Sequence, residues 1–253
     1  MSDEYAFQPI AVETVDTGID KPIAVFSDLH LADGSKADDF KKNKTKFKAA
    51  LDWAQDMTKV YTGDILEQWQ ASSDKIVQKH RELMLRMMEE DSIYIHGNHD
   101  YEMSEWIGLG VHWSMKIGKV LFLHGHDPDL INGKLRWIGR ATTWLGGLLE
   151  RIGWRNKDQL AKLKAVVTPS RMSDEEYDEI AGLYLKWVAK QAKEQDCTVA
   201  VFGHTHRPAI TECDGIVVAN VGAWVLKDPT FARVDSRSVC IYRVDPPTRN
   251  AAD

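Results

Sequence analysis

Short, mostly apolar runs alternate along this chain with longer stretches whose apolar residues recur every three or four positions. The runs "IAVF" (23–26), "KVYT" (59–62), "SIYI" (92–95), "KVLFL" (119–123) and "CTVAVF" (197–202) read as short strands. The first of them, Ile23 to Phe26, reads as buried. Between them, residues 38–57 carry Phe40, Phe47, Ala50, Leu51 and Ala54 at roughly helical spacing. Residues 75–90 repeat an amphipathic pattern, and residues 174–194, with an acidic start, predict a long helix. From 207 to 244 the pattern is alternating and turn-rich, which predicts antiparallel strands. Residues 1–21 read as a loosely ordered lead-in and "DPPTRNAAD" as a frayed tail. The order of elements predicts a single α/β domain over residues 1–253, built on a large mixed sheet or two packed sheets.

The ends of these strands share a feature. Five of them run directly into residue types that ligate metals: Asp28 and His30, Asp64, Asn98, His124, and His204 with His206. In open α/β sheets, ligands bind beyond the carboxyl ends of the strands, so these groups could converge on one site. Carboxylate, amide oxygen and imidazole together suit manganese, iron, zinc or cobalt; they do not suit a thiolate site or an all-oxygen calcium site. A carboxylate can bridge two ions, and two adjacent ions can clamp the attacking and leaving oxygens of an in-line displacement. His204 and His206 alternate, so on an extended strand they would share a face.

The ordered set Asp28-Leu29-His30, Gly63-Asp64, Gly97-Asn98-His99-Asp100, His124 and Gly203-His204-Thr205-His206 resembles the calcineurin-like metallophosphoesterase superfamily. Each motif alone is weak; five in this order, spanning residues 28–206, are specific. The resemblance implies a four-layer αββα sandwich with mixed sheets and two divalent ions, of which manganese is expected first. It implies that Asp28, His30 and His206 hold one ion, that Asn98, His124 and His204 hold the other, and that Asp64 bridges them. It implies that His99 protonates the leaving oxygen, that Asp100 orients His99, and that a hydroxide between the ions attacks phosphorus. The sequence lacks the G-D-x-x-D-R pattern of the protein phosphatases, since it reads "GDILEQW". It is more similar to the branch containing UDP-2,3-diacylglucosamine hydrolases. It departs from that branch in reading "GNHD" for G-N-R-D and "HGHD" for H-G-D, which places it beside the branch, not inside it.

Composition narrows the partners. The net charge of -6 argues against general nucleic-acid binding, yet residues 127–172 form a basic, Trp- and Leu-rich insertion within this acidic chain. One reading is a helical lid whose arginines, Arg136 and Arg140 among them, contact an anionic headgroup or nucleotide while its apolar side meets an acyl chain or a membrane surface. The other is a helical hairpin that packs on the core. A small phosphorylated substrate, nucleotide- or lipid-linked, is therefore expected, with peripheral membrane contact through 127–172 and no specific nucleic acid. A nuclease, a protein phosphatase and a catalytically silent binding scaffold are the competing readings. His126 is either a hydrogen-bond partner behind a ligand or a substrate contact, and Trp69 either packs in the core or lines the pocket. His80 reads as a surface residue of an amphipathic helix, and His96 and His112 as structural. Cys197, Cys213 and Cys240 show no paired spacing and the N-terminus has no apolar signal core, so a reduced, cytoplasmic setting is expected.

Overall fold

The computed structural model describes residues 5–36, 38–88, 92–100, 110–126 and 174–246, with side chains from 182 onward in the last of these segments. The strands are β1 (Ala6–Thr14), β2 (Ile23–Phe26), β3 (Thr58–Thr62), β4 (Ser92–Ile95), β5 (Val111–His112), β6 (Ser114–Ile117), β7 (Val120–Leu123), β8 (Val199–Phe202), β9 (Ala209–Cys213), β10 (Ile216–Asn220), β11 (Thr230–Asp235) and β12 (Ser238–Asp245). The helices are α1 (Lys44–Trp53), α2 (Ser73–Met87) and α3 (Asp174–Glu194), with a 3-10 turn at Phe40–Lys42 ahead of α1.

The strands form two sheets. The first has seven strands in the order β1-β12-β11-β2-β3-β4-β5, and the second has five in the order β6-β7-β8-β10-β9. In the first, β2 through β5 run parallel while β11, β12 and β1 add antiparallel neighbours. In the second, β7, β8 and β10 are parallel and the edge strands β6 and β9 are antiparallel. Both sheets are therefore mixed, as expected.

Side-chain alternation explains why β2, β7 and β8 are apolar throughout. Ile23 and Val25 of β2 face Phe122, Val199 and Val201 of the other sheet, while Ala24 and Phe26 face Phe47, Leu51, Leu83 and Met87 of α1 and α2. Leu121, Leu123, Ala200 and Phe202 turn the opposite way, onto Val188, Ala189 and Ala192 of α3. The layers run helix, sheet, sheet, helix, so each central strand is buried on both faces. Phe26 anchors the first helical layer, with Phe47, Tyr61, Trp224 and Phe231 arranged around its ring.

Two expectations fail. The N-terminal segment is not a loose lead-in: β1 pairs along β12 from Ala6 to Thr14, with a register shift between Pro9 and Ala11. It is an edge strand whose residues are mostly exposed, so its apolar pattern is weak, and its proline lies where the ladder is irregular. His80 is not at the surface either; it is buried and its Nε2 meets the Ala32 carbonyl at 2.8 Å. That contact ties α2 to the loop that leaves His30, and α2 departs from helical backbone angles at His80 itself. Cys197 and Cys240 are buried and Cys213 half-buried, all as free thiols. Among the described residues, no helix is long and apolar enough to cross a membrane. The 127–172 insertion lies outside the described residues.

Candidate metal centre

The loops that follow β2, β3, β4, β7 and β8 carry Asp28 with His30, Asp64, Asn98 through Asp100, His124, and His204 with His206. All five strands point their carboxyl ends at one place. The chain must turn sharply there to aim polar side chains inward. Asp28, His30, Asp64, His204 and His206 accordingly adopt left-handed backbone angles, with φ between 48° and 67°. Such angles are unfavourable for residues with a Cβ, and they concentrate where surrounding structure holds a functional group in place. His204 and His206 are thus not on an extended strand. They join different groups because the backbone reverses between them.

Close backbone packing sets the loops. A Cβ on Gly97 would sit 2.1 Å from Asp64 Oδ1, and one on Gly203 would sit 2.3 Å from Asp28 Oδ2. The glycines of these two motifs are there because Asp64 at Gly97, and Ser27 together with Asp28 at Gly203, occupy the space a side chain would take.

Three groups of possible ligand atoms lie within 4.8 Å: Asp28, His30 and His206; Asp64, His124 and His204; and His30, Glu67 and His99. In the third, Glu67 is engaged with both Nδ1 atoms, which leaves two ligand sets at the centre. Asp64 joins them through one oxygen. Its Oδ2 lies 3.3 Å from His124 Nε2 and 3.7 Å from His30 Nε2, while its Oδ1 accepts the His99 backbone N–H at 2.9 Å. Asn98 Oδ1 lies 3.2 Å from His124 Nε2 and belongs with the second set. His124 Nδ1 meets the Thr62 carbonyl at 2.8 Å, which directs Nε2 at the centre. Asp28 Oδ2 accepts from Ser27 Oγ at 2.5 Å and from the His204 N–H at 2.9 Å, so Oδ1 is turned toward His206 Nε2, at 2.9 Å.

The donors fit divalent ions. His30 Nε2 is buried with no hydrogen-bond partner, 3.8 Å from Asp28 Oδ1 and 3.7 Å from Asp64 Oδ2. These gaps are too long for hydrogen bonds and suit donors that converge on an ion. The charges point the same way. Burial pushes the Asp28 carboxyl up, but His206 and His30 overcome it and hold it far below the usual range. Asp64 shows the same competition, with His124 and His99 holding it well down. Burial disfavours a charge on His124, yet Asp64 lifts it to about 9. His30 is raised well above its ordinary value against the same burial cost, by Asp28 and Glu67. Buried carboxylates here draw positive charge onto their imidazoles, a demand that divalent ions would meet.

His99 lies beside the centre, its Nε2 4.0 Å from Asp64 Oδ2. The expectation that Asp100 orients it is incorrect. Asp100 Oδ1 accepts the Gly97 N–H at 2.8 Å and Oδ2 the Ile65 N–H at 2.7 Å, so this carboxyl braces two backbones. Burial and the charge of Asp64 push it up to about 6, against those two hydrogen bonds. The partner of His99 is Glu67. Its Oε1 meets His99 Nδ1 at 2.8 Å and its Oε2 meets His30 Nδ1 at 2.9 Å. Burial acts to raise Glu67, but the two imidazoles bring it down to about 2. Trp69 is buried and stacks on His99, with ring centroids 3.9 Å apart and planes 21° apart, so it packs and positions at once.

Residues missed from the sequence complete the support. Asn220, at the end of β10, donates from Nδ2 to the Gly203 carbonyl at 3.1 Å and to Thr205 Oγ1 at 2.5 Å. It holds the loop bearing His204 and His206, and the only sequence signal was a polar residue ending an apolar run. His126 is nearly buried beside the second set, with ring centroids 5.3 Å from His124 and 6.3 Å from His204. Arg136 and Arg140 lie outside the described residues.

A sequence model of the calcineurin-like phosphoesterase family matches residues 21–208. No curated protein sequence matches the chain. Among solved structures, a dimetal phosphatase from Danio rerio is 12% identical, with a TM-score of 0.46, covering 91% of this chain and 100% of that one. Vacuolar protein sorting 29 from Cryptosporidium parvum is 15% identical, with a TM-score of 0.45, over 90% of this chain and 92% of that one. A novel archaeal phosphodiesterase is 17% identical, with a TM-score of 0.40, over 87% of this chain and 99% of that one.

Proposed function

The chain belongs to the calcineurin-like phosphoesterase family, and from that premise we propose that it is a dinuclear-metal hydrolase of a phosphoester or pyrophosphate bond. The observation that carries the reading is the single oxygen, Asp64 Oδ2, set between His124 and His30 at 3.3 and 3.7 Å, where the two ligand sets meet. Asp28, His30 and His206 would hold one ion; His124, His204 and Asn98 would hold the second; Asp64 would serve both. Manganese is the metal we propose for this site, with iron, zinc and cobalt compatible with the same donors. When bound, the pair would supply Lewis acidity and a water made acidic enough to attack phosphorus at neutral pH.

The protein's own groups do the rest. Glu67 fixes the His99 ring through Nδ1 and leaves Nε2 toward the centre, where it is placed to give a proton to the departing oxygen. Trp69 stacked on the ring stops it from rotating away. Glu67 also holds His30 through Nδ1, so one carboxylate keeps the acid and a ligand in register. The substrate we favour carries its phosphate on a nucleotide- or lipid-linked group, with the basic 127–172 segment as its recognition element.

Two variants test the assignment. Asp64→Asn should lose the dinuclear content when metal is counted after loading with manganese and desalting. His99→Ala should keep both metals and slow hydrolysis by about 10²–10⁴-fold, the range for a lost general acid. If His99→Ala strips the metals as well, the role given to His99 is wrong.

A further inference from the structure

Trp113 is a large aromatic residue that folding does not account for. The big aromatic side chains Trp69, Trp224, Phe26 and Phe47 are fully buried, whereas Trp113 is 65% exposed. Exposed Ile10, Val12, Leu85 and Leu183 need no special reason, since lone apolar residues are common at surfaces. Trp113 differs in where the two sheets place it. The pairing of β4 with β5 sets His112 beside Ile95, and the His96 N–H donates to the His112 carbonyl at 2.8 Å. The pairing of β6 with β7 sets Ser114 beside Leu123. Trp113 is the single residue between those strands. It therefore stands at the carboxyl ends of β4 and β7 together, next to the loops that carry Asn98 and His124.

Its neighbours are rings. His96 is 5.1 Å away and His126 is 6.4 Å away, each inclined 32° to the indole. His126 is in turn 5.3 Å from His124 and 6.3 Å from His204. A line of rings thus runs from the second ligand set out to an exposed indole. Such a face offers a planar group area and quadrupole complementarity, and offers an aliphatic chain much less. Stacking of this kind tolerates different bases and rings, because each presents a π-face.

We propose that Trp113, flanked by His96 and His126, is the shelf on which a planar aromatic group joined to the substrate phosphate stacks, so that the enzyme selects aryl- or nucleobase-bearing phosphates over aliphatic ones. The inference rests on the reading of the metal centre given above. Trp113 is then a specificity residue that acts on binding and takes no part in the proton transfer.

The test uses three ligands whose C–P bonds resist hydrolysis: methylphosphonate, phenylphosphonate and the 5′-methylenephosphonate analogue of AMP. Each is titrated by calorimetry into the manganese-loaded protein, wild type, Trp113→Ala and Trp113→Phe. The two aromatic ligands should bind wild type at least about tenfold more tightly than methylphosphonate, within the range of a single stacked ring. Trp113→Ala should reduce that advantage to less than about twofold without changing methylphosphonate binding, and Trp113→Phe should keep most of it. A larger gain for the AMP analogue assigns the shelf to a nucleobase, and equal gains assign it to an aryl group of any kind. Methylphosphonate binding with no aromatic advantage, or an advantage that survives in Trp113→Ala, overturns the shelf alone. Failure of all three ligands to bind overturns the metal-centre reading and the shelf with it.

Discussion

Glu67 meets two imidazoles with its two oxygens, whereas Asp100, adjacent to His99 in sequence, spends both of its oxygens on backbone N–H groups. The two carboxylates should therefore fail differently. Glu67→Gln replaces one acceptor oxygen with an amide NH2, which donates and cannot accept from an imidazole N–H, so one of the two rings loses its orientation. Turnover should fall by about 10–100-fold, as for other lost supports of ligating histidines, while the urea midpoint moves little. Asp100→Asn deprives one buried backbone N–H of its acceptor, which costs about 1–3 kcal/mol, and its main effect should appear in the urea midpoint. If Asp100→Asn instead slows turnover at unchanged stability, the orienting role returns to Asp100. The family resemblance implied that role for Asp100. Side chains next to each other in a loop point in different directions, and only the path of the loop after β3 brings Glu67 up to His99.

At the scale of elements, the sequence pattern located the central strands and the helices because each is buried on at least one face. "IAVF", "VLFL" and "VAVF" are fully buried, and Phe40, Phe47, Ala50, Leu51 and Ala54 all lie in the core beneath α1. The edge strand β1 and the two-residue β5 were not legible, since partial burial and short length leave too little apolar pattern. Glycine positions separate constraint from tolerance. Gly97→Ala would drive a methyl group into Asp64 Oδ1, so metal content and activity should both collapse. Gly182 lies inside α3 with nothing near the space a Cβ would fill. Gly182→Ala should stabilise by up to about 1 kcal/mol through helix propensity, without changing activity. For a chain of this size that is a rise of about 2–4 °C in the melting temperature. A fall in the melting temperature of Gly182→Ala would show that α3 is packed more tightly there than its surroundings indicate.

For the whole molecule, charge and metal are coupled. In the metal-free protein His124 is lifted to about 9, so it carries a proton at neutral pH; a ligating imidazole must be neutral, and that proton must leave. Metal uptake at pH 7 should therefore release protons, and affinity should weaken as the pH falls. Calorimetry in buffers of different ionisation enthalpy measures the count, and a value of zero would mean that His124 does not ligate. Ions bound by the folded state alone should also raise the melting temperature, with a stabilisation that grows as the logarithm of their concentration over Kd and that a chelator reverses. The layered α/β class and the seven candidate ligands are legible along the chain, because burial on both faces leaves strands without polar alternation and because ligand-type residues recur at strand ends. That Asp100 braces two backbones, that Glu67 supports His99 and that Trp113 stands exposed beside the centre emerges only once the chain is folded. Those facts depend on left-handed turns and on the register between strands far apart in the chain, and a local pattern carries no information about either.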